Sequence, residues 1–129
     1  MSRTPSEHTE QVAVCRWLRL HRIPFFAVPN GGGRSKREGA SLKAEGVVRG
    51  VADLIVMLPG GALCLEMKRR AGGRQSPAQR DWEQMVSEIP GWSYKLARGA
   101  SEAIAILEET RCPRCGGTLP SLAHRLECK

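Results

Sequence analysis

Gly50-Val51-Ala52-Asp53-Leu54-Ile55-Val56-Met57-Leu58-Pro59-Gly60-Gly61-Ala62-Leu63-Cys64-Leu65-Glu66-Met67-Lys68 holds two apolar runs separated by a Pro-Gly-Gly break. Runs rich in Val, Ile, Leu and Met with a turn signal between them predict a β-hairpin or closely paired strands. An acid opens the first run, and an acid and a lysine close the second. Side chains alternate along a strand, so Glu66 and Lys68 share one face while Leu63, Leu65 and Met67 take the other. Three charged groups are therefore expected to converge at the end of an apolar sheet. Burying charge there is costly unless a cation or a substrate organises it, which makes this end of the hairpin a candidate metal site.

Working outward, the N-terminal flank reads as a helix over 4–20, with Val14, Leu18 and either Cys15 or Trp17 on a buried stripe. Thr4-Pro5-Ser6-Glu7 supplies a start signal: an N-cap, a first-turn proline and an acid three residues after the cap. Residues 23–28 form a short apolar run interrupted by Pro24, which predicts an edge strand. Asn30-Gly31-Gly32-Gly33-Arg34-Ser35-Lys36-Arg37 is a basic, glycine-rich loop whose backbone can approach a phosphate. It lacks the Gly-Lys-Ser ending of a nucleotide-binding P-loop, which excludes that class of ATPase. A short helix over 40–45 ends at Gly46.

On the other flank, Ser76-Pro77-Ala78-Gln79 opens a helix running to about Glu88, with Trp82, Met85, Val86 and Ile89 on its expected buried side. Gln79 lies three residues after Ser76, where a capping role accounts for it. A strand over 92–96 and a closing helix over 101–109 complete a mixed α/β order. From Arg111 the composition changes. Cys112 and Cys115 are spaced to share one zinc ion, and His124 and Cys128 complete a four-ligand set in a segment too short to fold by burial alone. No ligand position is left open, so the zinc is expected to be structural. Cys15 and Cys64 sit in apolar surroundings and read as free thiols.

The 129 residues, 41% of them hydrophobic, suffice for one compact domain plus an appendage. No apolar run is long enough to span a bilayer, and the first ten residues lack a signal-peptide centre, so a cytoplasmic protein is expected. The net charge of +7 is concentrated: residues 11–50 carry eight cations against Glu38 and Glu45, and Lys68-Arg69-Arg70 with Arg74 form a second cluster. Cations beside a proposed metal site suit a polyanion, with the nucleic-acid backbone as the obvious candidate.

Gly50-Val51-Ala52-Asp53 followed by Glu66-Met67-Lys68 resembles the PD-(D/E)xK nuclease motif, and with Gln79 opening the next helix it resembles the virus-type replication-repair nuclease (VRR-NUC) family over residues 7–107. Ala52 replaces the motif's proline at a position that holds no ligand. The resemblance implies a restriction-endonuclease-like α/β core over 1–109, with a zinc-binding tail over 110–129. It implies Mg²⁺ or Mn²⁺ held by Asp53, Glu66, the Met67 backbone carbonyl and an acid on the first helix, either Glu7 or Glu10. Lys68 is expected to orient water or stabilise charge, and the Gln79 amide to orient the lysine, the water or a phosphate oxygen. Asn30, Arg34, Lys36, Arg37, Arg69, Arg70 and Arg74 are the expected DNA contacts. The implied substrate is DNA, branched or containing a junction, and the implied assembly a homodimer. The competing class is a non-catalytic nucleic-acid-binding protein that uses the basic loop and zinc tail.

Overall fold

The structure is a computed structural model that describes residues 5–29 and 36–111. The elements in chain order are α1 (Glu7–Leu20), β1 (Phe25–Ala27), α2 (Lys36–Ala44), β2 (Leu54–Leu58), β3 (Gly61–Lys68), α3 (Pro77–Ser87), β4 (Trp92–Arg98) and α4 (Ala100–Glu108). The expected tail ligands Cys112, Cys115, His124 and Cys128 lie outside the described residues, as do Asn30 and Arg34 of the basic loop.

The four strands form one mixed sheet in the order β1-β2-β3-β4. β2 and β3 pair antiparallel from Leu54↔Leu65 to Leu58↔Gly61, leaving Pro59 and Gly60 as the turn. Proline presets the first turn position, and Gly60 provides φ +82° at the second, the signs a type II turn requires. β3 and β4 run parallel, from Ala62↔Trp92 to Lys68↔Arg98. Parallel neighbours need a crossover, and α3 supplies it. β3 is one of the two inner strands and has both faces covered, which is why its sequence reads as a nearly unbroken apolar run. β1 takes the edge, as Pro24 requires.

Alternation divides the core. Leu54, Val56, Leu63, Leu65, Met67 and Ala97 pack against Val14 and Leu18 of α1 and Ala103 and Leu107 of α4. On the opposite face, Ala52, Ile55, Ala62 and Cys64 meet Val86, Trp82, Trp92 and Tyr94. The sheet is thus flanked by α1 and α4 on one side and α3 on the other. Met85 and Ile89, expected in the core, are exposed because α3 turns only Val86 fully inward.

The first helix also starts later than its sequence signal. Ser6 is the N-cap, its Oγ accepting the Thr9 N–H at 3.1 Å, so Glu7 occupies the first helical position and forms no capping box. α2 begins at Lys36, ahead of the expected Ala40. Among the described residues no helix is long and apolar enough to cross a membrane.

Candidate active site

The antiparallel register carries Asp53 to the site. Leu54 pairs with Leu65, so the next step outward sets Asp53 opposite Glu66, on the face that α3 covers. Asp53 is fixed there by its neighbour's backbone: the Met67 N–H donates to Asp53 Oδ2 at 2.8 Å. Lys68, one alternation beyond Glu66, places Nζ 3.6 Å from Glu66 Oε1. The convergence expected from period-two alternation is thus present among these three residues.

Gln79 joins them through two bonds made by one amide. Its Oε1 accepts the Ser76 N–H at 2.8 Å while Ser76 Oγ accepts the Gln79 N–H at 3.1 Å, closing a capping box. Its Nε2 then donates to Glu66 Oε1 at 2.7 Å. Beside the expected role of orienting the lysine, a water or a phosphate oxygen, the Gln79 amide reaches Glu66. α3 can come this close because Gly50 has no side chain. At φ +84°, a Cβ there would overlap the Ala78 carbonyl and the Gln79 nitrogen. The glycine two residues before Ala52-Asp53 thus sets the spacing between the Asp53 strand and the Gln79 helix.

Glu66 is 2% exposed, and its Oε2 is buried with no hydrogen-bond partner among the described residues. Burial and then the Asp53 charge push its pKa up to about 8, against a smaller downward pull from Lys68. Asp53 is also raised, first by burial. The Met67 N–H, the proton-sharing Glu66 carboxyl and Lys68 oppose that rise, and the Glu7 charge adds to it. Two carboxyls this close cannot both ionise cheaply, so Glu66 retains a proton near neutral pH. An orphaned carboxylate oxygen beside a second carboxylate is an arrangement that a hard cation would satisfy. Among the described residues no three His, Cys, Asp or Glu side chains form a metal-holding cluster by themselves. The remaining ligands of any such ion would be backbone oxygen or water, which suits Mg²⁺, an ion that usually keeps several waters.

The two first-helix acids have different surroundings. Glu10 is 3% exposed; Arg70 binds its Oε1 through Nε at 3.0 Å and Nη2 at 2.8 Å, and the Ala100 N–H donates to its Oε2. It caps the start of α4, where Gly99 has no side chain to do so. Both oxygens are thus engaged away from Asp53. Glu7 is exposed, near Gly73, and is the first-helix acid whose charge reaches Asp53.

No family model matches the chain. No curated protein matches it either. Among solved structures, a VRR_NUC domain protein aligns with a TM-score of 0.68 at 22% sequence identity, covering 84% of this chain and 89% of that chain. The fold is that of a VRR_NUC domain protein.

On this VRR_NUC fold, the expected DNA contacts are only partly placed. Arg37 on α2 and Arg69 and Arg74 in the segment after β3 are exposed, whereas Arg70 is committed to Glu10; of Lys36 only the backbone is described. Arg98 ties that segment down, donating to the carbonyls of Arg69, Gly72 and Gly73. Tyr94 escaped sequence reasoning. Its hydroxyl accepts from Gln75 Nε2 at 3.1 Å, and the same amide donates to Glu83 at 3.2 Å. Burial, together with the charges of Glu66, Glu83 and Asp53, raises the phenol to about 12 despite the Gln75 bond, so it stays protonated. The available signal was alternation in β4: Tyr94 pairs with Cys64, which shares a face with Glu66.

Proposed function

We propose that this chain is a divalent-metal-dependent nuclease of the VRR-NUC type that hydrolyses phosphodiester bonds in DNA. The observation that carries the reading is the buried Glu66 carboxyl, one oxygen held by Gln79 and the other unpartnered, opposite Asp53 and beside Lys68. Asp53, Glu66 and the Met67 carbonyl would hold Mg²⁺ or Mn²⁺, with Glu7 as the additional acid from α1, reaching the ion through one of its waters. Glu10 is set aside for that role because its oxygens are spent on Arg70 and α4. Bound there, the ion would polarise a phosphoryl oxygen and acidify water.

The chain's own groups have separate tasks. Lys68 sits beside the carboxylates as a fixed ammonium able to orient the attacking water and to stabilise charge developing on the phosphate. Gln79 holds Glu66 in one rotamer, so the acid need not reorganise when substrate arrives. Arg37, Arg69 and Arg74, with the loop residues Asn30, Arg34 and Lys36, would grip the flanking backbone. Such contacts position DNA without reading its sequence, which favours selection by DNA structure: a junction, flap or branch in replication, recombination or repair. Two strands gripped symmetrically by so small a domain would require a homodimer. The nuclease unit would span 1–109, and residues 110–129 would fold around one structural Zn²⁺ on Cys112, Cys115, His124 and Cys128.

The test is a panel of four-way-junction, 5′-flap, nicked and linear DNA of one sequence, incubated with Mg²⁺, Mn²⁺ or EDTA. The reading expects metal-dependent cleavage of the branched members above the linear one. Salt-sensitive binding without cleavage, unchanged by Asp53→Asn, would instead favour a DNA-binding protein with an inert core. Zinc content of the purified full chain, expected at one ion and lost in Cys112→Ser, checks the tail.

A further inference from the structure

A groove of about 550 Å³ runs between Arg49-Gly50-Val51 and the first turn of α3, where Ala78 and Gln79 line it. It adjoins the candidate active site at Gln79, which lines the groove and whose amide binds Glu66. Its size falls within the range of ligand clefts. Gly50 makes the floor: the backbone rests directly on the Ala78-Gln79 peptide, where any side chain would collide. Val51, Pro77 and Ala78 give the walls apolar surface, and the lining includes one cation and no carboxylate. That cation, Arg49, is exposed and has no ion-pair or hydrogen-bond partner among the described residues.

At the end of α3 most backbone donors are already taken, the Ala78 N–H alone having no acceptor among the described residues. Ser76 Oγ takes the Gln79 N–H, Gln79 Oε1 takes the Ser76 N–H, Ser76 O takes the Arg80 N–H, and Pro77 has none to give. The formal positive charge in the groove comes from Arg49, beside that one backbone donor.

We propose that this groove seats the nucleotide adjoining the scissile phosphodiester, with Arg49 paired to its phosphate and the sugar against Val51 and Ala78. The assignment rests on the nuclease reading, since it is the Asp53–Glu66 site that fixes which phosphate is scissile. Arg49 is then a substrate-positioning residue that contributes to binding through charge, and the Val51–Ala78 walls contribute through shape.

The experiment measures anisotropy of a fluorescein-labelled 5′-flap DNA bound to the full chain in EDTA, from 50 to 200 mM salt. The variants are Arg49→Ala, Ala78→Trp and, as a charge control on the same helix outside the groove, Arg80→Ala. Loss of one phosphate contact lowers the slope of log K against log salt by about 0.9, so Arg49→Ala should lose about 3.5-fold less affinity than wild type across this range. At 50 mM salt it should bind roughly 3- to 5-fold more weakly. Ala78→Trp fills the groove, and should weaken binding with the wild-type slope; Arg80→Ala should match wild type. An unchanged slope in Arg49→Ala, or an equal change in Arg80→Ala, overturns the proposal. Arg49 is exposed, so that arm does not depend on how the core tolerates the tryptophan. Parallel incubation with Mg²⁺ separates the two readings. Cleavage by wild type with no Arg49 effect removes the groove alone, whereas groove-dependent binding by a wild type that never cleaves removes the nuclease alone.

Discussion

Glu66→Gln should make the metal-free protein more stable above neutral pH, although it removes a residue on which the proposed activity depends. The folded protein holds the Glu66 proton up to about pH 8, whereas the unfolded chain releases it near 4.5. Between those values the folded state binds more protons, so stability is full at low pH and falls as pH rises through the window. Each pH unit is worth 1.36 kcal/mol, which sets a ceiling of roughly 5 kcal/mol. Sharing of charge with Asp53 and screening at the open end near Lys68 reduce this to about 2–4 kcal/mol, a large share of a typical total of about 5–15. Glutamine keeps an acceptor for Gln79 Nε2 and removes the charge. In EDTA, urea unfolding of wild type should lose these 2–4 kcal/mol between pH 5 and 9, with the midpoint dropping by about 1–2 M. Glu66→Gln should lose much less and overtake wild type near pH 8. Saturating Mg²⁺ should flatten the wild-type curve, because the cation replaces the proton, and leave the variant unmoved. Parallel curves for the two proteins from pH 5 to 9 would refute the reasoning.

Other substitutions separate structural from catalytic roles. Gln79→Ala removes both the capping bond and the hold on Glu66; a loss of about 1 kcal/mol in urea unfolding is expected from the cap, with a further drop in kcat at saturating DNA. Gly50→Ala should destabilise by about 1–3 kcal/mol, because φ +84° and the collision with Ala78 act together; thermal melts compared with Gly72→Ala, at a glycine with open space around it, isolate the collision. Glu10→Ala should cost about 1–2 kcal/mol by leaving the Ala100 N–H uncapped, with the half-exposed Arg70 returning to water, while kcat measured on the remaining folded protein stays within a few-fold of wild type. Glu7→Ala should do the reverse, with little change in stability and a marked loss of metal-dependent rate.

Much of the site could be read from the chain because strands constrain it tightly. Period-two alternation places Glu66 and Lys68 together, and a hairpin whose turn is fixed by Pro59-Gly60 leaves a single register, which brings Asp53 opposite Glu66. The first helix gave no such constraint. Glu7 and Glu10 lie one turn apart, and what separates their roles is Arg70 and Ala100, which meet Glu10 from 60 and 90 positions along the chain. The start signal at Thr4-Pro5 misled because Ser6 and Thr9 offered an equally good cap two residues later. For Gln79, the sequence posed capping and function as alternatives, and one amide both caps α3 and reaches Glu66 because its oxygen and nitrogen face different partners. Met85 and Ile89 follow helical spacing yet are 45% and 42% exposed, since periodicity tells which residues share a face but not how far the facing sheet extends.

The most direct measurement follows cleavage of one labelled 5′-flap DNA by purified wild type, Glu66→Gln and Lys68→Ala, each with Mg²⁺ and with EDTA. The account predicts cleavage by wild type in Mg²⁺ alone, and a fall of about 100-fold or more in each variant, the order expected when a charge-stabilising group is removed. Equal rates in wild type and variants, or cleavage indifferent to EDTA, would contradict it.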